Sequence, residues 1–335
     1  METASALPRV LELHCGIGGC AAALAGRATV TAAIDINTVA LGVYRHNFTH
    51  PTAARAIESL RADDPLLRGA DLWWMSPPCQ PYTRRGRGRD LDDPRSRGLL
   101  HLLELIARLR PPTVALENVP EMRGSQAHAR LQEVLDRAGY TVAERVLCPT
   151  ELGVPNRRRR FYLVASRDGL TGWAAAPVAP VAPADAQAEH VRAPPLSPCP
   201  PLAAFVDVDD PPELHVAPEL LLRYAHAVDV VDAHDARAIA ATFTAAYGRS
   251  PVRAGSYLRR DGLVRRFSPA EILGLLGFPA SYHLPPELPR AGAWRLVGNS
   301  LSVPAVREVL AAMPAFAHRL LATRPTSEGW PPLSL

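Results

Sequence analysis

The sequence contains no lysine, so all 37 of its basic residues are arginine, and 33 acidic residues oppose them. The formal net charge is only +4, which leaves no strong polyelectrolyte character over the whole chain. Any contact with a phosphate group must therefore come from arginine, histidine or backbone amides.

Cysteine and long apolar runs are scarce as well. The five cysteines include no Cys-x-x-Cys pair, which argues against a disulfide framework or a zinc site and leaves at least one thiol free to react. No run approaches the roughly 20 apolar residues that span a bilayer, and the chain enters a strand-like pattern at residues 10–13 without the regions of a secretory leader. We expect a soluble, cytoplasmic, monomeric protein that needs no metal and has no membrane partner.

The first half of the chain alternates between short apolar runs and segments whose apolar residues recur every three or four positions. This alternation predicts an α/β fold, in which a largely parallel sheet carries helices on both faces. The predicted strands cover residues 10–13, 30–34, 72–75, 113–116 and 161–165, and the predicted helices cover residues 19–25, 37–47, 98–110 and 131–138.

A segment rich in proline and alanine divides the chain at residues 171–202. Such a composition cannot supply a packed core and is typical of a linker. The predicted domains are therefore residues 1–170, a small and less regular region at 203–266, and a segment at 267–335 that returns to the first domain. This last segment is predicted to contain helices at 267–276 and 303–321.

A glycine-rich turn follows the first predicted strand. Such a turn lets the backbone approach a ligand closely, and an acidic residue about 20 positions further on can bind ribose hydroxyls. Asp35 ends the second strand at that distance. The pattern suits a nicotinamide enzyme, a flavoprotein, a methyltransferase or a purely structural turn, although it is not the Gly-x-Gly-x-x-Gly of dinucleotide enzymes. The turn includes Leu13, Gly16, Ile17, Gly18 and Gly19.

The run Ser-Pro-Pro-Cys-Gln-Pro at residues 76–81 displays a thiol on a rigid loop directly after a buried strand. Two prolines before Cys79 fix the backbone and hold the thiol at the strand's end, which is where an open α/β sheet binds its ligands. A structural cysteine is normally hidden within a helix or strand. We therefore predict that Cys79 is a nucleophile.

Two charged features follow other predicted strands. Glu117 comes directly after an apolar strand, where a carboxylate can protonate or hydrogen-bond a ring nitrogen or can simply be solvated. Four consecutive arginines at residues 157–160 lead into the next strand, and strand alternation predicts that Arg158 and Arg160 share one face. Such a run is also typical of a solvated or phosphate-neutralising edge.

In content and order, these motifs resemble those of the C5-cytosine methyltransferase family. The most specific combination is Pro-Cys-Gln at residues 78–80, Glu-Asn-Val at 117–119 and Gly-Asn-Ser at 298–300. The resemblance extends over about residues 9–166 and 257–315. It implies a Rossmann-like sheet, S-adenosylmethionine as methyl donor, a nucleic acid as partner, and a target-recognition role for residues 203–266.

Within the family, the chain is most similar to the DNA-methyltransferase homologues that methylate tRNA in the anticodon loop. The similar stretches are residues 33–40, 76–84, 149–156, 243–248, 255–257 and 276–279. Two positions differ: Thr242 stands where that branch usually has cysteine, and Ala56 stands where the family often has an aspartate that contacts adenine. We expect a tRNA substrate, with DNA as the alternative.

The resemblance assigns roles to individual side chains. Cys79 would add to carbon 6 of cytosine, Glu117 would hydrogen-bond N3, and Arg160, with Arg158 nearby, would hold O2 and lower the pKa of the thiol. The target base must be flipped out of a stack or already unpaired. The residues expected around the methyl donor are Leu13, Gly16, Ile17, Gly18, Gly19, Asp35, Ile36, Ile57, Pro77, Asn299 and Ser300.

An arginine-rich loop follows the nucleophile at residues 83–89, where four arginines are interspersed with glycine. We predict a flap that closes over the target base and grips phosphates, rather than a merely disordered polar loop. The expected nucleic-acid contacts are Arg84, Arg85, Arg87 and Thr244.

Two other protein classes stay open. A non-catalytic nucleic-acid binder could share the fold, although it would not need the complete set of Cys79, Glu117 and Arg160. A nicotinamide oxidoreductase would explain the glycine-rich turn, but it would leave the Pro-Cys-Gln and Asn-Ser motifs without a role.

Overall fold

The computed structural model describes residues 6–83, 89–175 and 199–321. These residues form two compact units: the first contains residues 6–83, 89–147, 159–175 and 306–321, and the second contains residues 148–158 and 199–305. The second unit thus includes residues 267–305, which the sequence analysis assigned to the first domain. Most of the predicted linker and the predicted flap residues Arg84, Arg85 and Arg87 lie outside the described residues.

The first unit is built on a seven-stranded sheet with the strand order β3-β2-β1-β4-β5-β7-β6. The strands are β1 (Arg9–Leu13), β2 (Thr29–Asp35), β3 (Thr52–Ala54), β4 (Leu72–Met75), β5 (Thr113–Asn118), β6 (Thr141–Leu147) and β7 (Arg160–Ser166). Neighbouring strands are parallel, except that β7 runs antiparallel to both β5 and β6. The structure therefore confirms the predicted α/β fold.

Four central strands of this sheet end at the same level. Leu13 of β1 is in register with Ile34 of β2 on one side and with Met75 of β4 on the other, and Met75 is in register with Leu116 of β5. The segments that follow these residues consequently leave the sheet together, at the carboxyl edge where open α/β sheets bind ligands. The register thus brings the glycine-rich turn, the thiol loop and both acidic strand ends to one edge.

Helices are present where the apolar periodicity predicted them, and two more, at residues 218–223 and 290–298, were not predicted. The helices are α1 (Gly19–Leu24), α2 (Thr38–Asn47), α3 (Arg97–Leu109), α4 (Gln126–Arg137), α5 (Pro218–Arg223), α6 (Pro269–Leu275), α7 (Arg290–Gly298), α8 (Val303–Leu310) and α9 (Pro314–Leu321). The apolar stripe of α3, which includes Leu99, Leu102 and Ile106, is fully buried in the main hydrophobic core. Over the described ranges, none of the helices has the length and apolarity that crossing a membrane requires.

Three departures from the predicted elements have physical causes. β3 is only three residues long, and β6 lies at the edge of the sheet, where polar side chains such as Glu144 interrupt the apolar pattern. The single helix predicted at residues 303–321 is divided into α8 and α9. Pro314 has no backbone N–H to continue a helix, but it is well suited to begin one.

The second unit contains a small sheet in the order β10-β9-β8, formed by β8 (Asp229–Asp232), β9 (Ser256–Arg260) and β10 (Leu263–Arg266). An aromatic cluster fills its core, with Tyr247 in ring contact with Phe243, Tyr257 and Trp294. Arg265 is buried beside Glu271, with 2.6 Å between its Nη2 and Oε1 of the carboxylate. This arginine is therefore a structural residue of the unit.

Candidate active site

The glycine-rich turn is fixed by the carboxylate of Asp35, which ends β2. Oδ2 accepts a hydrogen bond from the backbone N–H of Gly16 (2.8 Å), and Oδ1 accepts one from the N–H of Asn37 (2.8 Å). Each carboxylate oxygen retains a further lone pair for a ligand hydroxyl. The predicted pair of a glycine turn and an acidic strand end is thus brought together.

Packing behind the turn requires glycine at position 18. Gly18 has a φ of +88°, and a Cβ there would lie 2.7 Å from the ring of Phe48 and 3.0 Å from that of Tyr44. The Tyr44 hydroxyl donates to Oε2 of the buried Glu12 (2.7 Å), whose Oε1 accepts from the N–H of Ala21 in α1 (3.0 Å). Burial raises the pKa of Glu12 to about 7.

The space in front of this turn is open. A Cβ at Gly16 would meet no atom within 4 Å, and the neighbouring Ile36 exposes 71% of its surface. His14 has a buried Nδ1 without a hydrogen-bond partner among the described residues, and burial lowers the pKa of its imidazole to about 4. Open space, ribose-binding oxygens, an exposed apolar side chain and an unused polar atom together suit S-adenosylmethionine. No sequence motif indicated a role for His14 by itself, although it lies within the recognised turn.

The other predicted donor contacts lie in the two units separately. In the first unit, five of these residues are buried: Leu13, Ile17, Gly19, Ile57 and Pro77. In the second unit, Asn299 is exposed and Ser300 is buried. Their contacts with the donor stay a prediction.

The thiol loop holds Cys79 half-buried, packed against the main hydrophobic core. The Cys79 carbonyl accepts a hydrogen bond from the N–H of Tyr82 (3.0 Å), which closes a turn that begins at the predicted nucleophile. On the other side of Cys79, the side-chain amide of Asn118 donates to the carbonyl of Pro77 (3.0 Å). Asn118 therefore ties the thiol loop to the end of β5, a role that its position next to Glu117 could have suggested.

The other four cysteines are in environments that suit a nucleophile less well. Cys15, Cys20 and Cys148 are buried, and burial raises the pKa of the Cys15 and Cys20 thiols well above the ordinary value. Cys199 is half-buried, and its partial burial raises its pKa to about 11. A thiol with a raised pKa is rarely ionised near neutral pH, so Cys15, Cys20 and Cys199 are weaker candidates for the attacking sulfur.

Glu117 and Arg160 form an ion pair at the same edge of the sheet. Nε of Arg160 lies 3.4 Å from Oε1 of Glu117, and both side chains are largely buried. The pair forms because β7 runs antiparallel to β5, so that the first residue of β7 lies beside the last residues of β5. The structure thus brings together two of the predicted catalytic side chains.

Arg158 is in a different environment from the one predicted. β7 begins only at Arg160, so strand alternation does not extend back to Arg158. The guanidinium of Arg158 is buried and donates to the backbone carbonyls of Phe243, Gly298 (3.2 Å) and Ser300. Its observed contacts therefore support the Gly-Asn-Ser segment within the second unit, and they correct the prediction of a shared face with Arg160.

The Gly-Asn-Ser segment also packs against Thr244. A Cβ at Gly298 would lie 2.3 Å from the backbone carbon of Thr244, so only glycine allows this close approach. The Thr244 hydroxyl accepts from the N–H of Ala246 (3.3 Å), and the Thr242 hydroxyl donates to the carbonyl of Arg157 (2.6 Å). Contact of Thr244 with a nucleic acid stays a prediction, as it does for Arg84, Arg85 and Arg87, which are not among the described residues.

No group of three or more histidine, cysteine, aspartate or glutamate side chains that could hold a metal ion occurs in the described ranges.

Comparison with known proteins identifies the family. Residues 8–190 match the family described as C-5 cytosine-specific DNA methylase. The chain belongs to this family. A tRNA (cytosine(38)-C(5))-methyltransferase of Spodoptera frugiperda is 31% identical over 90% of this chain and 98% of its own. A DNA (cytosine-5)-methyltransferase of Dictyostelium discoideum is 28% identical over 90% of this chain and 93% of its own.

A solved structure agrees with the fold. The S. pombe Dnmt2 methyltransferase superposes with a TM-score of 0.75 at 27% identity, covering 91% of this chain and 97% of its own. Family membership confirms the resemblance stated from the motifs and the predicted methylation of carbon 5, so the chain is a cytosine-C5 methyltransferase that acts on a nucleic acid. It also implies S-adenosylmethionine as methyl donor and disfavours the oxidoreductase and the non-catalytic binder.

Proposed function

We propose that this chain transfers a methyl group from S-adenosylmethionine to carbon 5 of a cytosine in tRNA, through a covalent bond between Cys79 and carbon 6. One observation carries the proposal. Cys79 lies on the loop that follows β4, Glu117 lies at the end of the neighbouring strand β5, and the Asn118 amide joins the strand end to the loop through the Pro77 carbonyl. A thiol and a carboxylate arranged in this way suit covalent catalysis on a pyrimidine ring.

The donor's nucleoside is assigned to the open space in front of Gly16. The Asp35 carboxylate would accept hydrogen bonds from the ribose hydroxyls, and Ile36 would cover a face of the purine. When bound, S-adenosylmethionine supplies the electrophilic methyl group. The backbone of the glycine-rich turn and the Asp35 side chain then act by binding and orientation alone.

Carbon 5 of cytosine is unreactive until a nucleophile adds to carbon 6. The sulfur of Cys79 forms this bond, while Glu117 donates a proton or a hydrogen bond to N3 and stabilises the enamine. Arg160 holds the Glu117 carboxyl in place and polarises O2 of the ring. After methylation, a base removes the proton on carbon 5, and the electron pair of that C–H bond expels the Cys79 sulfur and restores the aromatic ring.

We favour tRNA as the polymer that presents the cytosine. The S. frugiperda relative, which is named as a tRNA enzyme, aligns over 98% of its own length. In addition, the target-recognition region predicted at residues 203–266 is shorter than the one that an enzyme reading a defined DNA site usually carries. The D. discoideum relative, which is named as a DNA enzyme, is nearly as similar and keeps DNA as the second candidate.

Methyl transfer to two substrates tests this proposal. Purified protein is incubated with S-adenosylmethionine labelled in its methyl group and, in parallel, with total tRNA and with genomic DNA. We expect label in tRNA, and none in either polymer with the Cys79→Ala variant. Label in DNA alone would contradict the tRNA assignment, and label in neither polymer would contradict the proposed activity.

A further inference from the structure

Asp90 connects the thiol loop to the first turn of α4 and is not part of any recognised motif. It adopts a left-handed backbone conformation with a φ of +51°, which is uncommon for a residue other than glycine. Its N–H donates to the carbonyl of Pro81 (3.2 Å), and its own carbonyl accepts from the hydroxyl of Ser96 (2.6 Å). These backbone contacts place Asp90 next to the end of the thiol loop.

The side chain of Asp90 reaches the first turn of α4. Its Oδ2 accepts from the N–H of Gln126 (2.6 Å), and its Oδ1 accepts from the N–H of Ala127 (3.1 Å), in a contact that spans 36 residues of sequence. The neighbouring N–H of His128 donates to the hydroxyl of Ser125 (3.1 Å). A carboxylate is well suited to these amides because the first N–H groups of a helix have no partner within the helix.

Helix α4 begins shortly after the strand that carries the proposed acid. β5 ends at Asn118, directly after Glu117, and α4 starts at Gln126. Asp90 is therefore hydrogen-bonded to a helix that starts only a few residues after Glu117 in the sequence.

These contacts attach the thiol loop at both ends. Before Cys79, the carbonyl of Pro77 accepts from the side chain of Asn118. After Cys79, the carbonyl of Pro81 accepts from Asp90, whose carboxylate is held by α4. Asn118 belongs to the Glu-Asn-Val motif, whereas Asp90 supplies the second attachment from a segment that carries no recognised motif.

We propose that Asp90 is a positioning residue, which fixes the Cys79 sulfur relative to Glu117 while the thiol attacks carbon 6. This inference rests on the proposed function of Cys79 and Glu117. Asp90 acts through the backbone of the thiol loop and does not touch the reacting atoms. Its left-handed conformation is what allows the N–H to bond to Pro81 while the carboxylate bonds to α4.

Three variants separate this role from a general effect on stability. Asp90→Gly readily adopts the left-handed backbone conformation but has no carboxylate. Asp90→Asn tolerates the same conformation and keeps one acceptor oxygen for α4. Ser125→Ala is the matched control, because it removes the other side-chain cap of the same helix turn without altering the contact between Asp90 and Pro81.

The first readout is the single-turnover rate of covalent adduct formation with tRNA that contains 5-fluorocytosine, measured together with the Kd for that tRNA. We expect Asp90→Gly to lower the rate roughly 10- to 100-fold with an unchanged Kd, because small misplacements of a reacting group are costly. Asp90→Asn should recover most of the rate, and Ser125→Ala should react like the wild type. A wild-type rate in Asp90→Gly, or an equal loss in Ser125→Ala, would overturn the proposal.

The second readout is amide hydrogen exchange of residues 79–82 without substrate, which does not depend on the methyl-transfer activity. Asp90→Gly should exchange faster than the wild type in this segment, and Ser125→Ala should not. If the wild type forms no adduct, the proposed function fails, and the exchange experiment still decides the positioning role. Unchanged exchange in Asp90→Gly would overturn that role.

Discussion

The Nε atom of Arg160 lies 3.4 Å from Oε1 of Glu117, and the two residues come from neighbouring antiparallel strands. Each side chain exposes less than a sixth of its surface, so the ion pair is only weakly screened by solvent. The pair consequently fixes the orientation of the Glu117 carboxyl beside the loop that carries Cys79. In this account, Cys79 supplies the nucleophile, whereas Glu117 and Arg160 make the cytosine ring reactive.

Removing either member of this ion pair should affect the chemical step more than substrate binding. We expect Glu117→Gln to lower kcat by about 10²- to 10⁴-fold, because an amide can neither donate the proton nor stabilise the charge that develops on the ring. Arg160→Met should also lower kcat, since it frees the carboxyl that the guanidinium orients. Steady-state kinetics with tRNA would measure both effects.

Arg137→Met is a suitable control for the loss of a positive charge, because Arg137 is an exposed residue of α4 whose guanidinium pairs with Glu133 of the same helix. It should retain wild-type kcat. A change confined to KM in the Glu117 and Arg160 variants would argue against their role in the chemical step.

Arg158 should behave as a structural residue. Its buried guanidinium donates to three backbone carbonyls, and Arg158→Met would leave these acceptors without that donor. We expect the free energy of unfolding in urea to fall on the order of 3 kcal/mol, whereas Arg249→Met at an exposed position should change it by less than about 0.5 kcal/mol. An Arg158→Met variant with the stability of the wild type but a much lower kcat would instead support a direct contact with the base.

The buried carboxyl of Glu12 should make stability depend on pH. Burial raises its pKa from 4.5 to about 7, so the folded protein binds this proton more tightly than the unfolded chain does. The stabilisation is complete below about pH 4.5 and is lost as the pH rises through about 7, a decrease of up to about 3 kcal/mol. Thermal unfolding of the wild type and of Glu12→Gln between pH 4.5 and 8 would measure it.

The Glu12→Gln variant should lack this decrease, because its amide does not titrate. Glu133→Gln, which alters an exposed carboxyl of α4, should keep the wild-type pH profile. Parallel profiles for the wild type and Glu12→Gln would contradict the assignment of the effect to Glu12.

The sequence predicted the sheet and the residues at its carboxyl edge because both depend on local patterns. The apolar runs before Asp35, Ser76 and Glu117 are largely buried strands, and register places their ends side by side. The edge strand β6 was not predicted, because only part of its surface is buried and charged residues such as Arg145 interrupt its pattern.

Side-chain partners that are distant in sequence could not be predicted in the same way. Strand alternation suggested that Arg158 accompanies Arg160, but contacts with Phe243, Gly298 and Ser300 give it a separate structural role. The contact of Asp90 with α4 likewise depends on tertiary structure. Local sequence determines which residues end a strand, whereas long-range hydrogen bonds determine which of them meet.

The most direct test of this account is the mass of the Cys79 peptide after reaction with tRNA that contains 5-fluorocytosine and with S-adenosylmethionine. Fluorine at carbon 5 cannot be removed as a proton, so the covalent intermediate should accumulate. We predict a methylated fluorocytosine adduct on Cys79, and no adduct with Cys79→Ala. Methyl transfer to unmodified tRNA by Cys79→Ala, or an adduct on another cysteine, would contradict the assignment of Cys79 as the nucleophile.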